Sequence, residues 1–318
     1  MTKLKEQSKL AWDKIQSARY ILIITHINPD ADTLSSALAL SNFFAELKIN
    51  HKVYNAGKNI SSNVDFLNRY DKIVNTLPKS FDLAISVDCG ALSRFGFELP
   101  SDIDLINIDH HASNNDFGKI NIVDINKAST AELVYDFFMY NNLNISKQTA
   151  QCIYSGIYDD SLAFSTQRCD ENTFATAQSL ISLGVNAGDI AQQLKRRDSL
   201  AKYRVLPKVL ESLELYNEGK IAIIHLESIW LKQTGATPND CEVALDMILN
   251  IKVVDIAIFL RESKTHVRVS LRSKNGADVS IIANHFDGGG HIMAAGCTLN
   301  DTNIKEAKEI LLEFINVK

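Results

Sequence analysis

The stretch Ile21-Leu22-Ile23-Ile24-Thr25-His26-Ile27-Asn28-Pro29-Asp30-Ala31-Asp32 decides how the N-terminal half is read. Its first four residues form a continuous apolar run, the pattern of a strand covered on both faces. Residues 33–47 follow with Leu34, Leu38, Leu40, Phe44 and Leu47, close to helical spacing. Residues 83–87 (Leu-Ala-Ile-Ser-Val) and 105–108 (Leu-Ile-Asn-Ile) are two more short strand candidates, and residues 130–140 and 146–157 read as helices. Strands alternating with helices predict an α/β fold with a mostly parallel sheet and helices on both faces. The strand order stays open at this point.

A chain of 318 residues suggests two domains. The character changes near residues 186–205, where charged residues and good helix formers cluster around Lys195-Arg196-Arg197-Asp198 and Pro207 follows soon after. We therefore expect a first domain over 1–190, a linker helix over 191–205, and a smaller α/β domain over 206–318. The second domain starts a new pattern with a strand at 221–224. A helix over 239–250, strands over 254–261 and 265–273, and a closing helix over 304–316 complete it.

Composition narrows the class. With 46% of residues apolar and 22% charged, the chain can bury sizeable cores. The net charge of −5 argues against holding long nucleic acid by bulk charge. The first residues lack the apolar stretch of a secretory leader. No apolar run approaches the ~20 residues needed to span a bilayer. Cys89, Cys152, Cys169, Cys241 and Cys297 are widely separated and form no CxxC pair. They read as reduced thiols in a cytoplasmic protein.

The informative feature is where carboxylates and histidines fall. The first strand runs into His26, Asp30 and Asp32, the second into Asp88, and the third into Asp109-His110-His111. A helical segment ends in Asp159-Asp160. In an open parallel sheet, groups just beyond the carboxyl ends of strands meet in one crevice. Each cluster alone has a bland reading: Asp32 as a helix cap, Asp88 as a turn, the histidines as a loop pair, Asp159-Asp160 as a solvated helix end. Three clusters in the same position relative to a strand make coincidence a poor explanation.

His26-x-x-Pro29-Asp30-x-Asp32, Val87-Asp88, Asp109-His110-His111 and Asp160-Ser161-x-x-Phe164 resemble the four motifs of the DHH phosphoesterases. Gly288-Gly289-Gly290-His291, followed by Ala294-Ala295-Gly296, resembles the motif of the DHHA1 domain. The match spans essentially the whole chain, in order. It is nearest to the short two-domain nano-RNases (oligoribonucleases), also active as pAp phosphatases, and to their cyclic-dinucleotide-degrading relatives.

The resemblance implies a metal-dependent phosphoesterase, a hydrolase with two divalent cations. His26, Asp30 and Asp88 would hold the first ion, and Asp32, Asp88, His110 and Asp160 the second. Four carboxylates at −4 would balance two ions at +4. Mixed imidazole and carboxylate ligands without thiolate fit Mn²⁺ better than Mg²⁺. Asp109 would orient a histidine. His111 would touch the phosphate or protonate the leaving oxygen, and Asp159 is read as a solvated neighbour.

The second domain would select the substrate. Residues 265–272 alternate strictly, so His266, Arg268, Ser270 and Arg272 share one face and Val267, Val269 and Leu271 the other. Gly288, Gly289 and Gly290 can offer backbone N–H groups to an anion at the start of a helical turn. The resemblance thus implies Arg268, Arg272, Gly288, Gly289, Gly290 and His291 as substrate-binding residues, with the DHHA1 domain across a cleft from the metals. Lys195-Arg196-Arg197 reads as a solvated linker face, and Trp12 and Trp230 lack the basic stripe of a single-strand platform.

The expected activity is hydrolysis of very short oligoribonucleotides or linear dinucleotides, together with removal of the 3′-phosphate from pAp. The rivals are a pApA or cyclic-dinucleotide phosphodiesterase in signalling and a non-catalytic nucleotide sensor. The sequence ranks neither these substrates nor exonuclease polarity. Partners are short RNA or dinucleotides, with no long nucleic acid and no membrane; a homodimer stays open.

Overall fold

The structure, a computed structural model, describes residues 2–57, 60 and 62–315. The chain divides into two compact units, Met1–Arg197 and Asp198–Lys318.

The first unit contains helices α1 (Lys3–Ser17), α2 (Ala31–Glu46), α3 (Thr130–Tyr140), α4 (Lys147–Asp160), α5 (Glu171–Ser182) and α6 (Ala187–Lys195). Its strands are β1 (Ile21–Ile24), β2 (His51–Tyr54), β3 (Leu83–Val87), β4 (Asp104–Asp109) and β5 (Ile120–Val123). They form one sheet in the order β2-β1-β3-β4-β5, parallel throughout. Every residue of β1 and β3 is buried, as central parallel strands require.

The two faces are covered differently. Ile21, Ile23, Ile85 and Val87 join one large core with residues of all six helices, including Leu34, Phe43, Phe44, Phe137 and Phe138. Leu22, Ile24 and Ala84 face a smaller cluster built from loops and a 3₁₀ turn, with Phe95, Phe97, Leu99 and Phe117. The reason is topological: the β3–β4 and β4–β5 connections carry no α-helix, so aromatic loop residues close that face.

In the second unit α7 (Leu200–Glu211) is followed by β6 (Glu214–Tyr216), β7 (Ile221–Leu226), α8 (Ser228–Thr234), α9 (Val243–Leu249), β8 (Ile256–Glu262) and β9 (His266–Ser273). Then come α10 (Ser280–His285), β10 (Gly289–His291), β11 (Ala294–Asn300) and α11 (Ile304–Phe314). The sheet order is β10-β11-β9-β8-β7-β6, antiparallel except for the β7–β8 pair. Val267, Val269 and Leu271 pack toward Ile282, Ala283, Ala307 and Leu311 of α10 and α11. Ala257 and Phe259 belong to the opposite core with Val205, Val209, Leu245 and Ile248.

The differences from the sequence reading have identifiable causes. Instead of one linker helix over 191–205 there are two helices, α6 and α7. Arg197, between them, forms a two-pronged pair with Asp65 at 2.5 and 3.1 Å, and Ser199 caps a new helix by accepting from Lys202 N at 3.1 Å. Pro207 therefore falls inside α7. The helix expected over 239–250 is a 3₁₀ turn, Pro238–Cys241, followed by α9. Asn316, expected in the last helix, lies outside the described residues.

Candidate active site

The site of the first unit is assembled at the carboxyl ends of β1, β3 and β4. His26 follows β1 and is buried. Asp30 caps α2, its Oδ1 accepting from Thr33 N at 2.9 Å. The capping role thus belongs to Asp30, and Asp32 sits buried in the first turn of that helix. There its Oδ2 accepts from Thr130 N at 2.7 Å and its Oδ1 from Ala131 N at 3.0 Å. Asp32 therefore faces the N-terminus of α3, where backbone donors and the helix dipole favour an anion.

Asp88 is buried directly after β3, with φ +58°. A non-glycine residue in the left-handed region at a functional strand end is a strained, over-determined position. Two threonines fix its carboxylate: Thr33 Oγ1 donates to Oδ2 at 2.6 Å, and Thr130 Oγ1 to Oδ1 at 2.8 Å.

Around Asp88 the other ligand types converge. His26 Nε2 lies 4.0 Å from Asp88 Oδ2 and 3.8 Å from Asp30 Oδ2. His110 Nε2 lies 3.7 Å from Asp88 Oδ1 and 3.4 Å from Asp160 Oδ2. Among the described residues, three donor groups of metal-holding geometry result: His26–Asp30–Asp88, Asp32–His110–Asp160 and Asp88–His110–His111. Asp88 belongs to two of them, and all six residues predicted as metal ligands are present in the set.

The charges explain what such a cluster requires. Burial and the neighbouring Asp88, Asp160 and Asp30 charges push the Asp32 carboxyl well above the ordinary carboxylate range. Burial also pushes Asp160 up to about 6, with Asp88 and Asp30 adding to it against the opposing pull of His110. Asp30 is held down at about 2, because hydrogen bonds from His26 and Thr33 outweigh its burial. Carboxylates that oppose each other's ionisation in a buried cluster form a site completed by cations, whose charge reverses the effect.

Asp109, fully buried at the end of β4, does not join a donor group. Its Oδ1 lies 2.7 Å from His111 Nδ1, and its Oδ2 accepts from Asn114 Nδ2 at 2.6 Å. The bond to Asp109 pushes the His111 imidazole up. Asp159 points elsewhere, pairing with Lys195 at 3.1 Å.

Several participants escaped the sequence reading. Arg94 Nη2 lies 3.2 Å from His26 Nδ1, and Arg168 Nη1 3.4 Å from His110 Nδ1. Gly156 lets α4 approach: a Cβ there would lie 2.6 Å from both Ala131 Cβ and Asp32 Oδ1. A glycine inside an otherwise helical pattern was the available signal.

In the second unit, the glycine run corrects one expectation. Gly288–Gly290 do not open a helical turn; Gly289 and Gly290 belong to β10, paired with β11 through Gly289↔Gly296 and Gly290↔Ala295. A Cβ on Gly288 would lie 2.3 Å from Gly296 O, and Gly290 takes φ +145° with its Cβ position 2.4 Å from Ala295 Cα. Gly288 and Gly290 are glycines because two backbones meet closely there, whereas a Cβ on Gly289 would have open space. The pairing aligns Arg272, Ala294 and His291 in one row and, two positions along, Ser270, Gly296 and Gly289 in another. Arg268 lies opposite Thr298 and Arg261. Arg261, not singled out from sequence, pairs with Glu242 and donates to Ser270 Oγ at 3.0 Å.

Residues 20–157 match the DHH family, N-terminal domain, and residues 219–317 match the DHHA1 domain. The chain belongs to the DHH family. Among curated relatives of this DHH phosphoesterase is the bifunctional oligoribonuclease and PAP phosphatase NrnA of Thermus thermophilus, 27% identical, with 96% of this chain and 94% of that protein covered. The cyclic-di-AMP phosphodiesterase PdeA of Listeria monocytogenes is 25% identical over 97% of this chain but only 49% of its own length. An exopolyphosphatase-related protein from Bacteroides fragilis has a similar solved structure, with TM-score 0.89, 26% identity and 98% of each chain covered. Among the described residues, no helix is long and apolar enough to cross a membrane.

Proposed function

We propose that this DHH protein is a two-metal phosphodiesterase that hydrolyses very short oligoribonucleotides and linear dinucleotides and removes the 3′-phosphate of pAp. The observation that carries the reading is the convergence of His26, Asp30, Asp32, His110 and Asp160 around the shared, threonine-fixed Asp88. End-to-end similarity to an oligoribonuclease and PAP phosphatase of matching length supports the substrate class.

When bound, two divalent ions would supply charge for the phosphate and a water acidified enough to attack it. Imidazole and carboxylate donors without thiolate favour Mn²⁺. In this assignment His26, Asp30 and Asp88 hold one ion, and Asp32, Asp88, His110 and Asp160 the other. His111, with its side chain 35% exposed, can reach a substrate. Its Nδ1 is engaged by Asp109, so Nε2 is the atom that would give a proton to the leaving oxygen.

Arg268, Arg272, His291 and the Gly288–Gly290 run of the DHHA1 domain are assigned to the substrate. Guanidinium groups suit phosphate by their forked donors. The absence of thiol pairs in the sequence supports a cytoplasmic location.

The test is metal dependence on a linear dinucleotide such as pApA. Chelation should abolish turnover, Mn²⁺ should restore it, and Asp88→Asn should be the most damaging ligand change. Full activity in excess chelator, or near-normal turnover by Asp88→Asn with metal content unchanged, would reject the reading. Cyclic di-AMP belongs in the same assay, because of the similarity to PdeA.

A further inference from the structure

One short turn, residues 127–132, touches three of the assigned ligands at once. The Lys127 carbonyl lies 3.2 Å from His110 Nδ1. Thr130 Oγ1 donates to Asp88 Oδ1, and the N–H groups of Thr130 and Ala131 donate to the two oxygens of Asp32. In His110 it is the other nitrogen, Nε2, that faces Asp88 and Asp160.

A carbonyl only accepts, so the bond to Lys127 requires the proton on Nδ1 and leaves the Nε2 lone pair toward the carboxylates. Arg168 Nη1 approaches the same Nδ1 at the longer distance of 3.4 Å from an exposed residue.

The turn is held by Glu132, which is fully buried. Its Oε1 accepts from Lys127 Nζ at 2.9 Å, and its Oε2 accepts from Ala128 N at 3.2 Å and from Thr173 Oγ1 at 3.1 Å. Two of these bonds close the turn on itself and the third ties it to α5. A buried carboxylate is costly unless it is paired and hydrogen-bonded, so this one has a single well-determined arrangement.

We propose that Glu132 and Thr130 are positioning residues of the metal centre. Glu132 shapes the 127–132 turn, and the turn sets the His110 tautomer and aims Asp88 and Asp32. The inference rests on the two-metal reading above, and its test separates the two. Chelated wild-type, Thr130→Val, Thr130→Ser and Glu132→Gln proteins are titrated with Mn²⁺ by electron paramagnetic resonance.

Thr130→Val keeps the shape and removes the donor to Asp88, so Mn²⁺ affinity should fall about 10–100-fold, the usual effect of an outer partner, and Thr130→Ser should recover it. Glu132→Gln, which loosens the turn, should weaken Mn²⁺ binding in the same direction. If Glu132→Gln does not fold, the two Thr130 variants decide alone. Folded Thr130→Val with wild-type Mn²⁺ affinity would overturn the inference and leave the two-metal reading intact. Wild-type protein that binds no Mn²⁺ would overturn both.

Discussion

Asp109 Oδ1 and His111 Nδ1 stand 2.7 Å apart, with the carboxylate fully buried and the ring partly open. Burial alone would raise the Asp109 pKa, but the hydrogen bonds from His111 and Asn114 hold it below the ordinary value. An ionised partner behind Nδ1 fixes the ring and stabilises its charged form. That is the arrangement a proton donor needs.

His111→Ala should therefore lose turnover by roughly 10²–10⁴-fold, the range for a general acid, while retaining its metal. Because Asp88–His110–His111 also forms a donor group, metal content is the decisive readout. Loss of one ion per chain would exchange the roles of His110 and His111.

One residue beyond Asp160, Leu162, Ala163 and Phe164 all take positive φ, at 51°, 59° and 63°. The left-handed region costs a non-glycine residue roughly 1–2 kcal/mol. Leu162 is exposed, so its side chain buries little in compensation. Leu162→Gly should raise stability by about 0.5–1 kcal/mol after glycine's unfolded-state entropy is subtracted. Thermal unfolding checks this; a lower melting temperature would mean that Leu162 makes a contact worth more than its strain.

Gly156→Ala has the opposite expectation. Helix propensity favours alanine by about 1 kcal/mol, but the added methyl meets Ala131 and Asp32 at 2.6 Å. Overpacking at about 1–3 kcal/mol should win, so the variant should melt lower and bind Mn²⁺ more weakly. Gly188→Ala is the control, since its Cβ would find only Asn186 Oδ1, at 3.4 Å. Equal gains in both variants would contradict the packing argument.

For the second unit, Arg272→Ala should weaken action on pGpG or pApA by about 1.5–3 kcal/mol, the worth of a charged hydrogen bond. It should act almost normally on bis-p-nitrophenyl phosphate, which lacks a nucleotide end to anchor. Equal losses on both would make Arg272 a support of the fold.

The sheet and the gathering of carboxylates and histidines at its edge were legible because parallel strands announce themselves. Ile21–Ile24 and, apart from Ser86, Leu83–Val87 are apolar on both faces; His26 and Asp88 stand just beyond their ends, and Asp109 ends the next strand. What lay hidden is made of long-range backbone chemistry. Asp32 receives the N–H of a residue 98 positions away, and Glu132 reads on its own as one more helical acid. The glycine run was misread for the same reason, since the need for glycine at Gly288 and Gly290 comes from Gly296, Cys297 and Ala295 on the neighbouring strand. The short helices α6 and α7 were merged because the Asp65 partner of Arg197 is remote in sequence.

The central claim is a metal-dependent phosphodiesterase for very short nucleic acid, and substrate length tests it most directly. Turnover should be measured with Mn²⁺ on 5′-phosphorylated RNAs from two to twenty nucleotides, with pAp and cyclic di-AMP alongside. With a net charge of −5, no bulk attraction rewards a longer strand. The account predicts fastest hydrolysis of the di- to pentanucleotides, activity on pAp, and a steep fall with length. A twenty-nucleotide RNA degraded faster than a dinucleotide, or cyclic di-AMP preferred over every linear substrate, would contradict it.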